Sequence, residues 1–507
     1  MLAPDYLDHA PDRLILLWRQ AEDDILRDVA RRIGKMDALT PTANWQLWRY
    51  QQTEAVRKDV VKLLARYTGK SEAEIRRLMK EAATAALEAE DEIYYHYGKE
   101  PTPFEESTPL QNLLNAGYRQ TAGSFSNLTA TTANTVSGAF EQALDRAWLQ
   151  VSSGAFDYKT AVKRAVDGLA DSMPYVTYPS GHRDTLEVAC RRAVLTGVNQ
   201  TGAKLQEARA DEMGVEFFET TAHGGARPSH AEWQGRQFHR GGAVDYMGKH
   251  YPDFEAATGY GTGAGLYGWN CRHTFFVVFP ELGDPPQWTQ ESLEALNARN
   301  IEYDSKLYTR YEISQMQRAR ERAVRKWKRR YLAEDAAGAD TTASAVKLRQ
   351  ARQSLADFTR ATGGRVDSAR TSVHGFGRSE GSKASYAARK QERFNAANTE
   401  LQQMREAGTI KAKGRLIESP SAPNEINFAS DHVLQRWAER GMGPMDAERI
   451  IRSSKVAMSQ RNGTQTCYYS ELGFVAIEQD GNVSSIGPLD EGGKKLMEVV
   501  KKHGIPH

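Results

Sequence analysis

Four side chains able to bind a metal or carry a proton fall in one glycine-rich stretch: His223, His230, Cys271 and His273. The stretch, Glu219 to Phe279, opens Glu219-Thr220-Thr221-Ala222-His223-Gly224-Gly225-Ala226-Arg227-Pro228-Ser229-His230 and closes Gly259-Tyr260-Gly261-Thr262-Gly263-Ala264-Gly265-Leu266-Tyr267-Gly268-Trp269-Asn270-Cys271-Arg272-His273 before a short apolar run. A Cys-x-His pair ahead of a strand supplies two ligands, and His230 with His223 or His239 would complete a tetrahedron. The spacing matches no common zinc pattern, and the two halves lie far apart in the chain. The expectation is therefore that no metal or other cofactor is held. On this reading His223 and His230 satisfy backbone groups in a tight loop, and Cys271 packs beneath Trp269. Cys271 as a protease nucleophile beside His230 is declined, because nothing in the sequence shows an activating environment.

A second set of reactive side chains lies near the C-terminus. His432, Arg436 and Arg440 recur every fourth residue, so a helix presents all three on one face. A metal-independent ribonuclease needs a proton shuttle for the 2′-hydroxyl and the leaving oxygen, plus cations for charge gathering on phosphorus. One histidine and two arginines meet that need, and Tyr468, Thr464 or Thr466 would face them from a sheet. The alternative is a solvated basic stripe above a core of Val433, Leu434 and Trp437.

The elements that must position these groups are legible in outline. Leu14, Leu17, Trp18, Ala21, Ile25 and Val29 make one helical stripe. A second helix over residues 44–67 is expected to stop at Gly69, with Ser71-Glu72-Ala73-Glu74 capping a third that runs to about Tyr97. Helices follow over 110–151, 157–173 and 184–213. Residues 215–221 and 274–279 read as strands on either side of the glycine-rich centre. Residues 303–332 read as a helix whose second half carries Arg318, Arg320, Arg322, Arg325, Lys326, Lys328, Arg329 and Arg330 against Glu321 alone. That run is either a solvated face or a contact with an acidic protein surface or with nucleic acid phosphates. Residues 333–424 shift to Ala, Ser, Gly, Lys and Arg and read as an extended connector with helices at 346–360 and 385–407. After residue 425 come two short helices, strands at 455–460, 464–470, 474–479 and 482–487, and a closing helix at 491–502. Asn462-Gly463 and Asp480-Gly481 mark hairpins.

The fold class is thus α+β: a largely helical region to 214, a compact glycine-rich α+β centre over 215–290, a basic helix over 291–332, the connector, and a small α+β domain over 425–507 with a four-stranded antiparallel sheet. A chain of 507 residues exceeds one ordinary core, so about three or four folding units are expected. A net charge of +2 points to no partner by itself. Three dispersed cysteines argue against a disulfide framework. No apolar run approaches the roughly 18–20 residues of a membrane span, and the acidic N-terminus lacks the blocks of a signal peptide. The expectation is a soluble intracellular product.

The motif His223-Gly224-Gly225-Ala226-Arg227-Pro228-Ser229-His230-Ala231-Glu232-Trp233-Gln234-Gly235, followed by Gly268-Trp269-Asn270-Cys271-Arg272-His273, resembles the signature of the phage minor capsid protein 2 family. The helix carrying Arg191-Arg192-Ala193-Val194-Leu195-Thr196-Gly197-Val198-Asn199-Gln200-Thr201 resembles that family too, as does the basic helix with Gln317, Arg318, Glu321 and Arg322. The likeness covers about residues 5–375. It implies a virion component made in the bacterial cytoplasm and built into the head near the portal, in several copies. Its implied partners are the portal or major capsid protein, with RNA or packaged DNA as further partners and no membrane. Asp431-His432-Val433-Leu434-Gln435-Arg436-Trp437-Ala438-Glu439-Arg440 with the strands after it resembles the barnase, EndoU, colicin and RelE-like nucleases. That likeness implies His432, Arg436, Arg440 and Tyr468 as catalytic residues, or an inactive or purely binding version of such a domain.

Overall fold

Apolar residues three and four apart set the helices of the N-terminal half. The computed structural model describes residues 4–35, 43–172, 175–178, 182–410, 413–420, 426–428 and 431–506. Helix α1 (Pro4–His9) leads into α2 (Asp12–Gly34), whose Leu14, Trp18, Ala21, Ile25 and Val29 are buried. Where two helices were expected there is one, α3 (Ala43–His96). Gly69 sits inside it, and Ser71 does not cap. The Ser71 hydroxyl instead donates to the Tyr67 carbonyl (2.8 Å) and accepts from the Trp18 indole (3.0 Å). Long packing against the next helix outweighs the roughly 1 kcal/mol that a mid-helix glycine costs.

That neighbour is α4 (Thr108–Ser152), followed by α5 (Tyr158–Ser172), a short hairpin of β1 (Tyr175–Thr177) and β2 (Arg183–Thr185), and α6 (Leu186–Met213). Helices α4 and α6 cross closely through a reciprocal pair. A Cβ at Gly117 would overlap the Thr201 side chain, and one at Gly197 would overlap Thr121. Small residues at the crossing let two long helices share one core.

The central segment is a three-stranded antiparallel sheet ordered β4-β3-β7, from β3 (Phe217–Thr220), β4 (Gln237–His239) and β7 (Phe275–Val277). Around it lie α7 (Pro228–Ala231), a hairpin of β5 (Val244–Tyr246) and β6 (Lys249–Tyr251), and α8 (Phe254–Thr258). Helix α9 (Gln290–Asn297) and a hairpin of β8 (Ile301–Tyr303) and β9 (Lys306–Tyr308) follow. The basic helix α10 (Arg310–Ala336) therefore starts later than expected. Thr309 and Glu312 form a capping box that fixes its first turn.

Four of the cations of α10 reach acids on three other helices. Arg325 pairs with Glu187 of α6 (3.2 Å), and Arg329 with Glu22 (2.8 Å) and Asp23 (2.7 Å) of α2. Lys326 pairs with Asp171 of α5 (3.0 Å), and Arg330 with Asp167 and Asp171. The acidic surface that this charge run meets belongs to the same chain. Charges surround the helix because acids approach it from several sides.

The 333–424 stretch holds α11 (Thr342–Ala361), α12 (Ser368–Thr371), α13 (Arg378–Glu406) and strand β10 (Arg415–Glu418). Leu348, Leu355 and Phe358 of α11 are buried, with Phe358 against Tyr303 and Arg320.

Two compact units divide the chain, Met1–Ser379 and Glu380–His507. The second contains α14 (Asp431–Glu439), α15 (Pro444–Ser453), β11 (Val456–Gln460), β12 (Gln465–Ser470), β13 (Gly473–Glu478), β14 (Val483–Gly487) and α16 (Glu491–Lys502). Its sheet is an antiparallel meander ordered β10-β11-β12-β13-β14, so a fifth strand joins the four read from the sequence. Alternation along β12 explains the two cores. Cys467 and Tyr469 face α13 and α16 through Phe394, Ala397, Leu401, Leu496 and Val500, while Tyr468 faces Trp437, Ile450 and Ile451 of α14 and α15. Among the described residues no helix is long and apolar enough to cross a membrane.

Because α13 and β10 complete one of these cores, a fragment 380–507 should unfold cooperatively in urea while 425–507 should not. Leu401→Ala should cost the longer fragment about 2–5 kcal/mol. In the first unit, Arg329→Ala strands two buried carboxylates and should cost about 3–5 kcal/mol in the same measurement.

Candidate functional site

The pairing of β3 with β7 brings the two halves of the glycine-rich stretch together. Thr220 lies opposite Phe275, so the residues just after β3 and just before β7 leave the sheet side by side. The Thr221 amide donates to the Thr274 carbonyl (2.8 Å), and the Thr274 amide donates to the Thr221 hydroxyl (2.9 Å). His273 thereby stands beside His223, their rings stacked at 4.3 Å. Pro228 opens the single turn of α7, which turns His230 inward. The loop carrying Cys271 packs on its own backbone: at Gly265 a Cβ would overlap the Gly259 carbonyl, so no larger residue fits.

Polar side chains on α6 tie this loop down. The Asn199 amide donates to the Cys271 carbonyl (2.7 Å). Gln206 donates to the Phe275 carbonyl (2.8 Å) and to Glu90 of α3 (2.6 Å), and accepts from the Tyr267 hydroxyl (2.9 Å). All these groups are buried. A loop rich in strained and glycine positions needs such anchors, because buried backbone polar groups must find partners.

The result is a tight cluster of three buried donors, His230, Cys271 and His273, whose ligand atoms all lie within 4.8 Å of one another. The two Nδ1 atoms are 3.3 Å apart, and the Cys271 Sγ is 3.8 Å from His230 Nδ1 and 3.7 Å from His273 Nδ1. The outer nitrogens are engaged: His230 Nε2 lies 2.8 Å from the Ala264 carbonyl and His273 Nε2 lies 3.0 Å from Gln234 Oε1. Burial lowers the pKa of both imidazoles, that of His273 strongly, with His223, His230, Arg272 and Arg227 adding to it. Burial likewise raises the Cys271 thiol. His239 lies elsewhere, its Nδ1 2.7 Å from the Gly242 carbonyl. The indole at the cluster is Trp233, with ring centroids 4.7 Å from His230 and 4.9 Å from His273. Trp269, expected to cover Cys271, is 55% exposed.

The same three residues line a cleft of about 410 Å³ walled by α2, α6 and α10. Arg19, Arg191, Arg227, Arg318 and Arg322 also line it, with Asp12, Glu187 and Glu321 among the acids. Arg19 and Arg325 share Glu187, so part of that positive charge is neutralised within the wall.

In the C-terminal unit the structure puts the reactive residues in different settings. His432 and Arg436 lie on α14, but their side chains fall outside the described residues. Arg440 follows the helix and donates to the Ile486 carbonyl of β14 (2.7 Å). Tyr468 is 2% exposed in the apolar cluster with Trp437. Thr464 caps a turn through the Arg461 carbonyl (2.9 Å).

Asn199, Gln206 and Gln234, which position the donor cluster, escaped the sequence reading. For the α6 pair the available signal was Asn199 and Gln206 seven residues apart, on the face of the helix that carries Leu195 and Gly202.

The family model described as phage minor capsid protein 2 matches residues 2–360. No curated protein and no solved structure matches the chain.

Glu90 makes the anchoring sensitive to pH. Burial first, then Asp91, pushes its carboxyl from 4.5 up to about 7 against the pull of Gln206. A folded value above the unfolded one means stability held below about 4.5 is lost as pH rises through about 7. Glu90→Gln should therefore leave stability near wild type at pH 4.5. It should raise it at pH 8 by about 1–3 kcal/mol, at about 1.4 kcal/mol per pKa unit. Chemical denaturation of both proteins at the two pH values checks this.

Proposed function

We propose, because the chain belongs to the phage minor capsid protein 2 family, that it is a structural component of the phage head seated near the portal. It is assembled in the bacterial cytoplasm in several copies per head. The observation that carries this reading is the family match, which spans α1 to α11 and so takes in the whole donor cluster and its anchors. Membership in a capsid family supports a virion location and association with other virion components. The packing of α10 adds to this. A basic helix whose Arg325, Arg329 and Arg330 are taken up by internal ion pairs serves the rigidity of a building block better than the grip of a nucleic acid groove.

Residues 380–507 lie beyond the family match, and we assign them a ribonuclease-like role. His432 would shuttle the proton while Arg436 and Arg440 balance charge on phosphorus. Support comes from the helix–helix–sheet–helix order and from the four-residue spacing of His432 and Arg436 on α14, with Arg440 just past its end. Two observations favour a second reading, an inactive binding domain: Tyr468 is sealed in the core, and Arg440 is held by a backbone carbonyl.

Mass spectrometry of purified particles should find the chain in the head, and deletion of residues 216–280 should abolish its incorporation. Deletion of 380–507 should leave incorporation intact. Absence from particles would remove the head assignment. For the tail, the purified protein should cut RNA in EDTA, and His432→Ala should lower the rate at least about 100-fold, the usual worth of a general acid–base group. Wild-type protein that cuts no RNA selects the binding reading.

A further inference from the structure

Two imidazoles that present the same nitrogen to each other in a buried site pose a proton problem. His230 Nε2 faces a carbonyl at 2.8 Å, so that nitrogen carries the proton and Nδ1 carries the lone pair. His273 Nε2 faces Gln234 Oε1 at 3.0 Å. The Gln234 amide is itself oriented, its oxygen accepting from the His223 amide (3.2 Å) and its nitrogen donating to Asn297 Oδ1 (3.2 Å). His273 Nε2 therefore also donates, and its Nδ1 is a bare lone pair. Two lone pairs then meet at 3.3 Å, with the sulfur of Cys271 at 3.7–3.8 Å from both. One thiol proton can satisfy only one of the two nitrogens.

A cation resolves the conflict. We propose that His230 Nδ1, His273 Nδ1 and Cys271 Sγ bind one zinc ion. The dimensions fit: Zn–N of about 2.0–2.1 Å and Zn–S of about 2.3 Å at tetrahedral angles put nitrogens about 3.3 Å apart and nitrogen and sulfur about 3.6 Å apart. Two imidazoles and one thiolate suit zinc better than calcium or magnesium, which take oxygen ligands. The Ala264 carbonyl and Gln234 are the outer partners that orient metal-bound histidines. Binding replaces the thiol proton, which leaves to solvent, and no redox change occurs. The three residues line the arginine-walled cleft, so a water molecule from that side would complete the tetrahedron. The ion would fasten α7 to the loop after α8, joining the two halves of the motif that the sheet brings side by side. This assignment reverses the expectation from spacing alone, and it is independent of the head location and of the tail's activity.

The test uses the full chain, expressed with zinc and purified without chelator. Elemental analysis should give about one zinc per chain. Replacement by cobalt should produce tetrahedral visible bands and a thiolate-to-cobalt charge-transfer band, and the latter should vanish in Cys271→Ser. His273→Gln and Cys271→Ser should each lose the metal, while His239→Gln should keep it. Should either variant fail to fold, a strong chelator added to wild type replaces it as the readout, removing the zinc and lowering Tm. Wild-type protein without bound zinc, or zinc retained in Cys271→Ser and His273→Gln, overturns the proposal.

Discussion

The grip of α6 on the loop before β7 is the constraint on which the central region depends. That loop carries glycines and two non-glycine residues at positive φ (Tyr267 and Asn270), and its own hydrogen bonds are turn bonds rather than a ladder, such as the Leu266 amide to the Thr258 carbonyl (3.0 Å) and the Trp269 amide to the Gly263 carbonyl (2.7 Å). Left alone it would sample many conformations. Asn199 and Gln206 remove that freedom from one side by meeting the Cys271 and Phe275 carbonyls, and the self-packing at Gly265 removes it from within. Each anchor is a buried polar group with a partner, so breaking one leaves the other unsatisfied at about 1–3 kcal/mol. The precision of the donor cluster follows from that penalty.

Helix α6 holds its own position by two means. Its crossing with α4 is fixed sterically by Gly197 and Gly117, and its charge contacts run to α3 through Arg209 and Asp91 (2.8 Å) and to α10 through Glu187. The α10 network has a cost as well as a use. Burial pushes the Glu22 carboxyl up to about 7 although Arg329 stands against it, which records the desolvation that the ion pair must offset. Hydrophobic residues of like volume would stabilise a core at least as well. Paired charges, however, fix which face of α10 meets α2, α5 and α6, and that orientation walls the cleft beside His230, Cys271 and His273.

The C-terminal unit follows a simpler logic. One antiparallel sheet has a helix layer on each face, and strict alternation along β12 and β13 supplies both cores. Helix α14 packs through Trp437, which is buried in the core with Ile450, Tyr468 and Val475.

The sequence by itself determined what depends on local periodicity: the apolar stripe of α2, the strands of the C-terminal sheet to within a residue or so, and the hairpins at Asn462-Gly463 and Asp480-Gly481. It also determined the family, because the histidine–glycine and Asn-Cys-Arg-His motifs are a dense local signal. Breaks in α3 were misread because Gly69 and Ser71 mark a helix end only where no neighbour compensates, and α4 and Trp18 do so here. The fifth strand, β10, lay hidden because an edge strand of four residues has too little pattern to stand out from its flanks. The destination of the α10 arginines and the meeting of His230 with Cys271 and His273 were decided by tertiary structure alone. Both join residues distant in the chain through helix crossings and β-pairing, and spacing along the sequence holds no information about the angle at which those elements pack.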